Sequence, residues 1–287
     1  MLINMKEMLK IADENDFAVG AFNATESSLF RSVVEEAEKQ NAPAIIQVAP
    51  GEFNFATREF YSYVRERLAN SPVPFVLHLD HGKSVEECMR AIQAGFTSIM
   101  FDGSALPYEE NVKKTAEVVK LAHMVGVSVE GEIGTIGTMS NSDEGGVENV
   151  TYTNPDEVVE FVSLTGVDCL AIAIGTAHGI YPKGFVPHLQ LELLKEIKKV
   201  SPVPLVLHGG SNNPDDEIRE ACRIGIRKVN ISSDFKQAFF VKLNATLTET
   251  GGFIPAKVLT PSIDEAKKVI KEKMELFGSI GKASLYR

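Results

Sequence analysis

Cysteine is scarce in this 287-residue chain: Cys88, Cys169 and Cys222 are odd in number, far apart and set in apolar patterns. That excludes a disulfide framework and predicts reduced core thiols. No apolar run approaches the roughly 18 residues of a membrane helix. The opening MLINMKEMLK runs into the acidic IADENDF rather than an apolar signal core, so a soluble cytoplasmic protein with no membrane partner is expected. Basic residues are the minority, 29 Lys and Arg against 39 Asp and Glu, for a formal charge of −10. Nucleic acid is excluded as a partner, because neutralising phosphates needs clustered cations. Any anionic substrate must be held locally. A Gly-rich dinucleotide fingerprint is absent, and no linker or composition shift divides the chain, so one domain over 1–287 is expected.

Eight compact apolar runs are present: AVGAFN (18–23), AIIQV (44–48), VPFVLHLD (73–80), SIMFD (98–102), VSVEGE (127–132), DCLAIAI (168–174), VPLVLH (203–208) and RKVNIS (227–232). Stretches of helical spacing separate them, as in Leu29, Val33, Val34 and Ala37. Strands alternating with helices predict parallel pairing, since a parallel strand needs a crossover. Eight units predict a closed α/β fold, the (β/α)8 TIM barrel, over an open doubly wound sheet. Two stretches exceed an ordinary connection. Residues 133–152, rich in Gly, Ser, Asn and acids, read as an active-site lid. The tail, about 262–287, carries an amphipathic helix near 262–277 that either closes the barrel or contacts another subunit.

In such a barrel, chemistry sits at the carboxyl edge of the strands. Three runs end there in histidine followed by glycine: His81, His178 and His208, out of six histidines in the chain. Three neutral imidazoles with an open fourth position make a catalytic zinc site, although each histidine taken alone reads as a core or loop residue. Asp80 precedes His81 and either moves a proton or orients a histidine. Asp102, Glu130 and Glu132 either hold a second cation or orient ligands. HGGS (208–211) and NISSD (230–234) place small polar residues just before two helices. Helix N-termini after strands seven and eight are the usual phosphate site of these barrels.

LDHG, GVDCLAIAIGTAHG, LVLHGGS, KVNISSD and ELFGSIGKA together resemble the class II metal-dependent fructose/tagatose-bisphosphate aldolase family, from Phe22-Asn23 to Lys282. The resemblance implies zinc on His81, His178 and His208, holding the ketone and hydroxyl oxygens of dihydroxyacetone phosphate. It implies Asp80 as the proton-handling acid, with Asn23 beside it. Gly179, Lys183, Gly209, Ser211, Asn230, Ser232 and Ser233 would hold the phosphate, next to a monovalent cation (Na+ or K+). Asp102 and Glu132 would be the second cation site, and a homodimer or homotetramer the assembly.

Three departures are visible. The family's lid glutamate falls on Ser140, so Asp143 or Glu144 is the expected substitute, and Glu144 is assigned here. An arginine that reaches a neighbour's distal phosphate falls on Ala256 within Ile254-Pro255-Ala256-Lys257. A serine at the distal end falls on Ala49. The expected activity is cleavage of a ketose phosphate, a 1,6-bisphosphate or a 1-phosphate with another distal group, into dihydroxyacetone phosphate and an aldehyde. A metal-dependent hydrolase and a non-catalytic sugar-phosphate binder are the competing readings.

Overall fold

A computed structural model of the chain describes residues 1–138, 150–179, 181 and 187–287. The strands, in chain order, are β1 (Val19–Asn23), β2 (Ala44–Val48), β3 (Phe75–Gly82), β4 (Ser98–Phe101), β5 (Ser128–Ile133), β6 (Gly137–Thr138), β7 (Cys169–Ile172), β8 (Ala177–His178), β9 (Leu205–Leu207) and β10 (Ile226–Ile231). Eight of them close into a parallel barrel in the order β1-β10-β9-β7-β5-β4-β3-β2, a (β/α)8 TIM barrel as expected. Each barrel strand falls on one of the eight apolar runs. The two remaining strands, β6 and β8, pair only with each other, Gly137 opposite Ala177 and Thr138 opposite His178.

Successive side chains of a strand face opposite sides, so each barrel strand carries an inward and an outward set. The inward residues Val19, Ala21, Ile45, Val76, Met100, Cys169, Ala171 and Val206 form one buried cluster with Met5, Met8, Leu9 and Ala12. The helix Met5–Glu14 therefore plugs the amino end of the barrel. Asn4 caps it by accepting from the Glu7 amide at 2.9 Å, and the Met5 amide donates to Ser128 inside the barrel at 2.8 Å. Outward residues such as Phe22, Ile46, Leu77, Ile99, Leu170, Leu207 and Ile231 form a second cluster with the surrounding helices. All three cysteines are free and buried, as expected.

Continuing each inward set toward the carboxyl end replaces apolar residues with polar ones: Asn23, Gln47, His78 and Asp80, Glu130 and Glu132, and Lys228 and Asn230, all buried. The closed apolar floor thus carries a polar layer of the kind that only a functional site retains, because buried polar groups cost free energy unless paired.

The tail differs from expectation at its start. Its helix runs Pro255–Leu276, seven residues earlier than 262, with Pro255 in the first turn and Pro261 accommodated inside. It buries Ile263, Ala266, Ile270 and Met274 against the helices Ser27–Gln40 and Ser233–Thr250, so it closes the barrel wall.

Candidate active site

Alternation alone would point His78 and Asp80 inward and His81 outward. The register between β3 and β4 shifts: Leu79 lies opposite Ile99, but Gly82 lies opposite Phe101, so β3 spends three residues where β4 spends two. The extra residue forms a bulge, and His81 adopts a left-handed φ of 53°. Such a backbone costs about 1–2 kcal/mol for a non-glycine residue. It turns Asp80 and His81 into the same site. The His81 amide, freed from the ladder, donates to Met100 Sδ at 3.3 Å.

His208 follows β9 by one residue and is fully buried. His178 is not on a barrel strand: β7 stops at Ile172, and the ribbon strand β8 delivers the histidine instead. The intervening chain turns through Gly175 (φ 115°), so the sixth apolar run is shorter as a strand than it reads. Gly209, at φ 61°, passes so close that a Cβ there would lie 2.6 Å from the Ala177 carbonyl. Only glycine permits that approach between the two histidine-bearing segments.

The three imidazoles converge, with ring centroids 4.5 Å apart for His81 and His208, 4.7 Å for His81 and His178, and 5.9 Å for His178 and His208. One nitrogen of each lies within 4.8 Å of the others. His81 Nε2 faces His208 Nδ1 at 2.8 Å. Their outer nitrogens are held by carboxylates, His81 Nδ1 by Asp102 at 2.9 Å and His208 Nε2 by Glu130 at 2.7 Å. That arrangement fixes each tautomer with the bare nitrogen inward, as metal-ligating histidines require.

Electrostatics favour a positive charge at this point. Burial works against a charged His81, yet Asp80 and Asp102 outweigh it and push the imidazole up to about 9. Burial, with His81 next in weight, holds His208 well below its ordinary value. Burial and the neighbouring Asp102 push Glu132 up to about 8, and its Oε2 has no hydrogen-bond partner among the described residues. The cluster is suited to a cation, and metal binding would compete with protonation of His81. The residues therefore fit zinc. His81, Asp102 and Glu132 also lie close enough together to hold a second cation, with Lys83 already ion-paired to Asp102.

Asp80 is fully buried. Burial pushes its carboxyl up, but His81, His208 and Lys228 together hold it below the usual carboxylate range. Asn230 Nδ2 donates to both of its oxygens, at 3.1 and 3.4 Å, so Asn230 orients Asp80. Asn23 accepts from Gln47 at 2.7 Å, and Asn23 Nδ2, Gln47 Oε1 and Asn230 Oδ1 are buried without partners among the described residues. The turn 209–213 is braced by Asn213, which donates to the carbonyls of Gly209 (2.6 Å) and Ser211 (3.0 Å). It meets the start of helix Ser233–Thr250 where Ser211 Oγ accepts from the Ser232 amide at 3.2 Å. Ser232 occupies the N-cap without a side-chain cap bond, so the first-turn amides there keep their capacity. Gly179 lies directly after β8 with φ 96°. Glu144, Asp143, Ser140 and Lys183 lie outside the described residues.

One interior residue was not expected. Lys228, fully buried, pairs with Glu130 at 2.8 Å and so supports the carboxylate that holds His208. Two residues before Asn230 on the same strand, it shares the inward face, and alternation in RKVNIS was the available signal.

The family described as fructose-bisphosphate aldolase, class II, matches residues 3–282. A fructose-bisphosphate aldolase of Geobacillus stearothermophilus is 38% identical over 99% of both chains. A 6-phospho-5-dehydro-2-deoxy-D-gluconate aldolase of Bacillus licheniformis is 38% identical over 98% of this chain and 96% of its own. The crystal structure of the YdjI aldolase from Escherichia coli K12 superposes with a TM-score of 0.87 at 33% identity, covering 99% of this chain and 100% of that one. With three histidines gathered beside a buried aspartate at the carboxyl edge of a parallel barrel, the chain belongs to the class II fructose-bisphosphate aldolase family and is a lyase.

Proposed function

We propose that this chain is a zinc-dependent aldolase that cleaves a ketose phosphate into dihydroxyacetone phosphate and an aldehyde. The observation that carries the reading is the pair His81–His208, inner nitrogens facing and outer nitrogens on carboxylates, with Asp80 next in sequence on the same bulge. When bound, zinc supplies Lewis-acid polarisation of the substrate's ketone and hydroxyl oxygens.

The chain's own residues do the rest. Asn230 holds Asp80 so that its carboxylate accepts the proton of the hydroxyl beside the bond to be broken. As that O–H electron pair becomes the aldehyde C=O, the carbon–carbon pair stays on the three-carbon half, which a lid acid then protonates to dihydroxyacetone phosphate. Glu144 is assigned to that protonation. The unused polar atoms of Asn23, Gln47 and Asn230 are suited to the substrate's oxygens, since each costs about 1–3 kcal/mol while unsatisfied. Gly179, Lys183, Gly209, Ser211, Ser232 and Ser233 hold the phosphate, beside a monovalent cation.

The far end of the substrate is the less charged one. Ala49 is buried at the start of helix Pro50–Phe55, and Ala256 is exposed. Neither offers the charge-assisted contact a second phosphate rewards. Of the two relatives compared above, each 38% identical, the Bacillus licheniformis one is named for a gluconate with one phosphate and the Geobacillus stearothermophilus one for a bisphosphate, so the distal residues decide the reading. The exposed apolar side chains Phe240, Val241, Phe253 and Ile254, on and next to the last two long helices, support a homodimer or homotetramer. No helix among the described residues is long and apolar enough to cross a membrane, and a cytoplasmic location is proposed.

The test is product analysis with zinc-loaded protein and a panel of ketose 1-phosphates and bisphosphates. Dihydroxyacetone phosphate plus an aldehyde is expected. Turnover of none of them, or a zinc-free preparation that cleaves equally well, overturns the reading.

A further inference from the structure

On the outside of the barrel, the helices Pro50–Phe55, Arg58–Ala69 and Val85–Ala94 border an open-sided cavity of about 200 Å³. None of the strand-end histidines or carboxylates lines it. One wall is aromatic: Phe53 stacks on Tyr61 with centroids 5.1 Å apart and 19° between planes, and Phe96 meets both rings edge-on. Tyr61 is 2% exposed, yet its hydroxyl has no hydrogen-bond partner among the described residues. A buried hydroxyl left this way costs about 1–3 kcal/mol, which a ligand that accepts its proton would recover.

The rim is cationic. Arg58 and Arg90 both line the cavity, and neither makes an ion pair among the described residues. Arg90 reaches only Asn54 Oδ1, at 3.3 Å, and lies over the Phe53 ring at 5.6 Å. Two unpaired guanidiniums sharing one cavity, in a chain with ten excess negative charges, are placed for an anion. Gln93 adds an amide to the same lining.

We propose that this cavity is a second, non-catalytic site for a small oxyanion. Arg58 and Arg90 grip a phosphate or carboxylate group, Tyr61 donates its hydroxyl, and Phe53 carries the apolar body of the ligand. The volume suits a small organic anion, since a cavity of about 150 Å³ already takes benzene. The site does not depend on the reaction proposed above.

Calorimetric titration of the full-length protein tests it, with inorganic phosphate and succinate as probes at an ionic strength fixed by chloride. Because the strand-end turns also offer an oxyanion cradle, the readout is the number of sites in wild type against R58A/R90A, two exposed positions whose change leaves the core intact. The double variant should bind one fewer oxyanion per chain. Y61F should weaken that site by about 10–100-fold, equivalent to the roughly 1.5–3 kcal/mol of a hydrogen bond to a charged group. Its ligand-free unfolding temperature should not fall, because the hydroxyl it removes has no partner. Binding of phosphate alone identifies a phosphate ligand, and binding of succinate alone a carboxylate. Equal site numbers and affinities in wild type and R58A/R90A, or Y61F binding as wild type does, overturns the proposal.

Discussion

His81 Nε2 and His208 Nδ1 stand 2.8 Å apart. Two imidazole lone pairs repel at that distance unless a proton or a cation lies between them. Because Asp102 and Glu130 occupy the outer nitrogens, the shared charge belongs to the inner pair. The first prediction is one tightly bound zinc per chain, lost in H178A/H208A, with cleavage abolished by chelation and restored by zinc. Metal analysis alongside an activity assay checks it; full cleavage by metal-free protein is the contrary result.

Glu130 serves His208 and Lys228 at once. E130Q should weaken zinc binding by about 10–100-fold, the usual cost of losing a partner that orients a ligand. It should also destabilise the fold by about 3–5 kcal/mol by stranding the buried Lys228 ammonium. E130Q/K228M should recover much of the stability and none of the zinc affinity. Denaturant unfolding and zinc titration on the same samples separate the two effects.

Asp80 is held by Asn230 rather than by a structural ion pair, so D80N should keep the protein folded and zinc-loaded while cleavage falls by about 10²–10⁴. Zinc loss in this variant would assign Asp80 to holding the metal site instead.

At the far end of the substrate, fructose 1,6-bisphosphate should show a kcat/KM no better than ketose 1-phosphates with neutral or carboxylate tails. The missing charge-assisted contact amounts to about 1.5–3 kcal/mol, or roughly 10–100-fold. A hundredfold preference for the bisphosphate would place another cation there, and Lys257 would be the first to test.

Asp13 gives a pH-dependent stability. Burial raises its carboxyl, but Lys198 and Arg227 outweigh burial and hold it below its ordinary value. A depressed folded-state value means its stabilisation is complete above the unfolded value and lost as pH falls through the folded one. D13N should therefore cost about 1 kcal/mol at neutral pH, given partial solvent screening, and progressively less at an acidic pH below the ordinary aspartate value of about 3.9. Urea midpoints at the two pH values measure the difference.

The eight strands were legible because each is an apolar run bounded by helical spacing, a signal local to a few residues. His208 and Asp80 were legible for the same reason. His178 was legible as a companion of His81 and His208 but not as to its element, since its short ribbon strand depends on pairing with Gly137–Thr138, forty residues earlier in the chain. Lys228 was missed because a lysine in a strand reads as surface until the barrel is closed around it. Asn230 was read for phosphate, and its contact with Asp80 arises from two strands 150 residues apart.

The bulge in β3 makes this strand intolerant of length changes that its neighbours would absorb. Deleting one residue between Leu79 and Gly82 would restore a regular ladder with Phe101 and gain local regularity, yet it would exchange the reading frame of the strand's tip. Only one of Asp80 and His81 could then face the interior. The proposed base and the proposed ligand are adjacent in the chain because a single surplus residue lets two consecutive side chains share one side of a sheet, so an otherwise harmless indel here should separate metal binding from proton transfer.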